Sequence, residues 1–178
     1  MRKPFLVLAI LTILGASGHV AVRSYIHKTY FPDETAFVCP IKGGNLRLRY
    51  DNFGDGHYGA KRRNGRIHNG IDILVPSGEP IFATKSGFAV YTYDKEGYGN
   101  YVKIYHKDGY SSRYAHLEAA NMRWVTFVKQ GDLIGWVGSS GNARTPGVRP
   151  HLHFEIRKDE VPVNPMGGAC LKERITKK

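Results

Sequence analysis

The stretch HLHFEI, residues 151–156, sets two histidines one residue apart inside an apolar run. In an extended strand, alternate residues share a face. Leu152, Phe154 and Ile156 then form an apolar face, while His151, His153 and Glu155 set two imidazoles and a carboxylate on the other. A second cluster lies upstream in HNGID, where His68 and Asp72 are four residues apart. The Asn-Gly pair between them favours a turn over a helix. Asp72 then opens a strand and His68 reaches back from the loop. Zinc enzymes commonly use three protein ligands with N, O or S donors and leave a fourth position for water. His68, Asp72 and one histidine of the HLH pair supply such a set. HxxxD alone is common by chance; joined to HxH at strand edges, it points to a metal.

Tyr114-Ala115-His116-Leu117 adds another imidazole. If the metal takes one histidine of the HLH pair, the other and His116 remain. One can act as general base and the other can hydrogen-bond an oxyanion. Zinc would lower the pKa of its bound water and polarise the carbonyl under attack. His57, in a Gly-rich loop, and His106, beside a turn, read as structural or solvated. Glu155 either orients an imidazole or makes an ordinary salt bridge. Tyr58, Tyr98 and Tyr110 either line the groove or, as the default reading, pack in the core or rim.

These side chains need a scaffold of strands. From Phe37 onward, short apolar runs alternate with Gly, Asn, Asp and Pro, an all-β signature. Strands are expected at 45–50, 71–75, 80–84, 87–93, 101–106, 110–115 and 133–137, with HLHFEI closing the series. Lys107-Asp108-Gly109 is a hairpin signal. Residues 51–66 read as a long loop, and 117–128 as the one stretch with room for a helix or an irregular crossover. The basic cluster Lys61-Arg62-Arg63 is not a binding site on charge alone.

The chain has 178 residues, enough for one domain with a real core and an appendage. Arg2 and Lys3 precede an apolar run, Phe5–Ala16, followed by the small residues Ala16-Ser17-Gly18. That pattern reads as a signal peptide or a membrane anchor over 1–18, with a linker or arm at 19–38, the domain at 39–170 and a basic tail at 171–178. Export is expected, to the periplasm or to the periplasmic face of the inner membrane, with secretion as the alternative. It permits a disulfide between Cys39 and Cys170. Neither cysteine has a CxxC partner, which argues against a zinc role. The net charge of +11 favours polyanionic surfaces such as wall polymers and membranes over nucleic acid, which is not expected as a partner outside the cytoplasm. The sequence leaves the oligomeric state open.

The segments IHNGIDI, GNYVKIYH, YAHL, GDLIGWVGSSGN and PHLHFEI, in that order, resemble the M23 family of zinc metallopeptidases, of the lysostaphin/LytM type. The resemblance covers about residues 39–166. It implies a mainly β, compact antiparallel sheet or sandwich domain with a zinc groove and one zinc ion per chain. It implies His68, Asp72 and His153 as ligands, and His116 and His151 as a catalytic pair off the metal, with His151 favoured as base. The implied activity is an endopeptidase acting on peptidoglycan peptide cross-links, D-Ala to diaminopimelate. The alternatives are a silent LytM-like module that binds the wall or activates an amidase, and a secreted lytic factor that cuts glycine-containing bridges. A third alternative is latency, with residues 19–50 lying over the zinc in place of the water. The loop 141–149 is longer and more basic than in the shortest family members, which leaves substrate fit open there.

Overall fold

The computed structural model describes residues 34, 36–43, 46–62 and 65–167. The leader 1–18, most of the arm, Cys170 and the tail 171–178 lie outside these residues. The expected Cys39–Cys170 pairing therefore falls outside them too. Among the described residues, no helix is long and apolar enough to cross a membrane.

Among the described residues twelve strands run in order: β1 (Arg47–Leu48), β2 (Tyr50–Asp51), β3 (Gly54–Asp55), β4 (Ile71–Leu74), β5 (Pro80–Phe82), β6 (Gly87–Asp94), β7 (Gly99–Tyr105), β8 (Tyr110–Ala120), β9 (Val125–Val128), β10 (Leu133–Val137), β11 (His151–Lys158) and β12 (Val161–Val163). All pairings are antiparallel. The main sheet follows the order β1-β4-β11-β8-β7-β6-β9, with β10 bridging β5 and β8, and β12 on β11. The mainly β expectation holds.

One face of the central strands makes the core. Ile71 and Ile73 of β4, Leu152, Phe154 and Ile156 of β11, Val102 and Ile104 of β7, and Tyr114 of β8 are all buried. Each such aliphatic side chain contributes about 1.5–3 kcal/mol by leaving water. The opposite face carries the polar residues in cross-strand rows. His153 pairs with Asp72 on one side and Ala115 on the other. The Arg49 N–H donates to the Asp72 carbonyl at 2.8 Å, which extends the row to Arg49.

Three expectations about elements change. Residues 117–128 hold no helix: β8 continues to Ala120, and β9 follows. The apparent break is an irregularity in register around His116, which takes a left-handed φ of 63°. The bulge interrupts the alternation without ending the strand. HLHFEI does not close the series, because β12 pairs back onto it. The 51–66 loop contains the β2–β3 hairpin and a bridge between Lys61 and Ile67. Such two-residue elements leave too little sequence for a period to register.

Candidate metal centre

β4 and β11 bring His68, Asp72 and His153 together, all buried, with one ligand atom from each within 4.8 Å of the others. Asp72 Oδ1 lies 3.0 Å from His68 Nε2 and 2.9 Å from His153 Nδ1. The two imidazole nitrogens are 3.0 Å apart. Asp72 and His153 are held by direct strand pairing. His68 arrives from the loop before β4. That loop passes so close to β11 that a Cβ on Gly70 would stand 2.4 Å from the Phe154 carbonyl oxygen. Glycine is required there.

The outer nitrogens of the two histidines fix their protons. His68 Nδ1 donates to the His57 carbonyl at 2.7 Å. His153 Nε2 donates to Glu155 Oε1 at 3.1 Å. A neutral imidazole has one N–H, so His68 Nε2 and His153 Nδ1 are bare lone pairs. They converge on a carboxylate oxygen, which is also only an acceptor. Three acceptors facing one another without a proton call for a cation between them. Tetrahedral zinc, with bonds of about 2.0–2.2 Å, spaces its ligand atoms by about 3.3 Å, close to the triangle seen here. The donor set therefore fits zinc. Burial lowers the His153 pKa, but hydrogen bonds and charges from Asp72 and Glu155 raise it to about 9, so with no ion there the ring takes a second proton, the positive charge that a metal ion would supply in its place. Burial would raise the Asp72 carboxyl, yet the two histidines hold it well below its ordinary value.

A second layer orients these groups. Asp72 Oδ2 accepts from Arg49 at 2.9 Å and Arg62 at 2.8 Å, which leaves Oδ1 for the triangle. Glu155 is 1% exposed and takes Tyr98 Oη at 2.7 Å and Arg157 Nη1 at 2.6 Å besides His153. Burial raises the Glu155 carboxyl, but these partners bring it down to about 2.

His116 and His151 flank the triangle, with ring centroids 4.9 Å apart. Each anchors Nδ1–H on a backbone carbonyl: His116 on Ser140 at 3.0 Å, His151 on Arg149 at 2.7 Å. Their Nε2 atoms are left bare, and that of His151 lies 4.0 Å from Asp72 Oδ1. Burial, then His151 and His153, push His116 down to about 3. His151 is lowered too, chiefly by burial. Both are neutral proton acceptors at pH 7.

The five histidine and aspartate positions singled out in the sequence thus line one groove of about 440 Å³, together with Tyr98, Phe53, Arg62, Arg66, Asn142 and Val148. Sequence reasoning missed Arg49, Arg62 and the His57 carbonyl. No motif marks them; only the pairing of Arg49 with Asp72, and the closure of the 61–67 loop, bring them in. His106 lies outside the groove.

The model of peptidase family M23 matches residues 66–165. The DD-carboxypeptidase/endopeptidase Mpg of Neisseria meningitidis serogroup B is 41% identical over 111 residues, 62% of this chain and 25% of that protein. The murein hydrolase activator NlpD of Salmonella typhimurium is 39% identical over 117 residues, 65% of this chain and 28% of that protein. This chain thus spans about a quarter of the length of these curated relatives. The crystal structure of a zinc-containing peptidase from Vibrio cholerae superposes with a TM-score of 0.62 at 30% identity, over 79% of this chain and 40% of that one. The family match covers more than half of the sequence and includes every residue of the groove's histidine and aspartate set: the chain belongs to peptidase family M23.

Proposed function

We propose that this chain is an exported zinc endopeptidase that hydrolyses peptide cross-links of peptidoglycan, at the D-Ala–diaminopimelate bond. The carrying observation is the triangle of two imidazole nitrogens and a carboxylate oxygen about 3 Å apart, with the outer nitrogen of each ring turned to an acceptor. The relatives' names support the substrate class. Export rests on the apolar leader at 1–18.

His68, Asp72 and His153 hold the ion. Bound zinc supplies Lewis acidity and lowers the pKa of its water. His151 takes a proton at Nε2: the atom is bare, and Asp72 at 4.0 Å stabilises the imidazolium that results. His116 is anchored through Nδ1 in the same way, on Ser140, and with its pKa at about 3 it stays neutral. The Asp72 carboxylate beside His151 Nε2 is what favours His151 as the base, with His116 as its neighbour across the groove. Glu155 and the His57 carbonyl keep both histidine ligands in the tautomer that presents a lone pair.

The test is to incubate the zinc-loaded full chain with isolated sacculi and identify the products by mass spectrometry, beside an Asp72→Ala sample. Loss of cross-linked dimers with the intact site alone supports the reading and names the bond. Zinc content near zero with unchanged muropeptides favours a silent module that binds the wall or activates an amidase. Zinc binding with unchanged muropeptides points to latency or a glycine-bridge substrate.

A further inference from the structure

Charges along the groove do not balance: an arginine is left with unused donors. The groove carries three carboxylates, Asp72, Asp94 and Glu155. Asp72 Oδ2 has two guanidinium partners and Oδ1 faces the triangle. Asp94 accepts the backbone N–H groups of Glu96, Gly97 and Tyr98. Glu155 is engaged by Tyr98, His153 and Arg157. Each carboxylate has its partners within the protein.

Arg49 is engaged with Asp51 and Asp72, and its remaining donor Nε is buried out of reach of the groove's solvent. Arg62 differs. One donor goes to Asp72 and a fifth of its side chain is exposed. The rest of its fork has no acceptor at bonding distance among the described residues. Asp55 lies near enough to feel its charge, but Asp55 Oδ1 is taken by the His57 backbone and ring. The Arg62 N–H donates to the Arg66 carbonyl at 2.8 Å, beside the bridge between Lys61 and Ile67. This pairing sets Arg62 and the exposed Arg66 on one wall of the groove.

The position of that fork restricts what it can receive. It bonds one oxygen of the carboxylate whose other oxygen belongs to the metal triangle. An anion docked on it must hang from an atom next to the bond being cut. On the acyl side of an alanine bond, that atom carries a methyl group. On the amine side, the carbon bearing the scissile nitrogen carries a free carboxylate in D-Ala–diaminopimelate, and in a D-Ala–D-Ala terminus as well. Inside a glycine bridge it carries only another amide. Guanidinium is the group that takes a carboxylate through a planar fork.

We infer that Arg62, with Arg66 beside it, receives the free carboxylate on the carbon that bears the leaving nitrogen. The groove then selects anionic acyl-D-amino-acid bonds and rejects neutral bridges. This rests on the peptidoglycan reading above and deepens it.

The test uses two synthetic stem peptides that differ only at that carbon, one with a carboxylate and one with a carboxamide. Zinc-loaded protein should cleave the acid with a kcat/KM at least tenfold above the amide. Arg66→Gln should shrink the ratio severalfold, and Arg62→Gln should bring it near one. Zinc content is measured for Arg62→Gln, because that side chain touches Asp72; if zinc is lost, Arg66→Gln carries the test. In parallel, calorimetry measures binding of D-alanine and D-alaninamide to the zinc-loaded His151→Ala protein, with the acid expected to bind at least tenfold more tightly. Equal cleavage of acid and amide, or a pentaglycine peptide cut as well as the acid, overturns the inference. If neither peptide is cut but D-alanine still outbinds its amide, the carboxylate site stands and the endopeptidase reading falls. If neither is cut and the two bind alike, both fall.

Discussion

Two buried histidine clusters sit in this domain, and they differ in how many protons they hold. In the metal triangle, three atoms make three mutual contacts near 3 Å with no hydroxyl among them to supply a proton. The other cluster lies around His106. There His106 Nδ1 donates to the Ser86 carbonyl at 3.0 Å, and Nε2 lies 2.8 Å from Ser112 Oγ. Ser112 meets Tyr114 Oη at 3.0 Å, and Tyr114 meets Thr84 Oγ1 at 2.7 Å. Ser112 Oγ is the donor to Tyr114, each of the three links from Thr84 to the ring includes a hydroxyl that carries a proton, and the link to Ser86 takes an imidazole N–H. That chain is closed and needs nothing from outside. Burial and histidine content do not separate a structural cluster from a site; the count of protons against acceptors does.

The comparison can be broken most directly by removing one member from each cluster. Asp72→Ala should abolish bound zinc and reduce hydrolysis by at least about a thousandfold, since both the ion and the geometry go; zinc analysis and muropeptide release check it. His106→Gln should keep zinc stoichiometry while lowering the melting temperature. If His106→Gln also strips the metal, the two clusters are not independent. His151→Ala should retain zinc yet lose about 10²–10⁴ in kcat, the usual contribution of a positioned base.

Acid should also separate the clusters. Burial lowers the His106 pKa from 6.5 to about 4. Between those values the unfolded chain binds the proton and the folded chain does not, so stability rises with pH. The contribution is fully present above about pH 6.5 and is lost as pH falls towards 4, by roughly 3 kcal/mol at about 1.36 kcal/mol per unit. Urea melts at pH 7 and pH 4.5 should show this fall in the wild type and a smaller one in His106→Gln. The smallest effect should come from the layer behind the ligands. Glu155→Gln should weaken zinc binding about 10–100-fold, and Tyr98→Phe, one hydrogen bond further out, should weaken it less. Competition with a chelating dye measures both.

The legible part of this molecule is the part with a period. HLHFEI alternates cleanly because β11 packs Leu152, Phe154 and Ile156 on the core and shows its histidines to the groove. Lys107-Asp108-Gly109 marked the β7–β8 turn, where Asp108 and Gly109 both take positive φ. β8 was read too short because His116 breaks its alternation, and that irregularity re-aims His116 at the site. Arg49 and Arg62 were invisible as site residues. Their role comes from register and loop closure between distant segments, and neither leaves a pattern along the chain.

His153 and Asp72 lie opposite each other on strands joined backbone to backbone, and the hydrophobic core behind them is complete without any ion. The ligand spacing is therefore set by folding rather than by the metal. An ion taken up there would meet two of its donors already in place, so stripping it should leave the sheet standing.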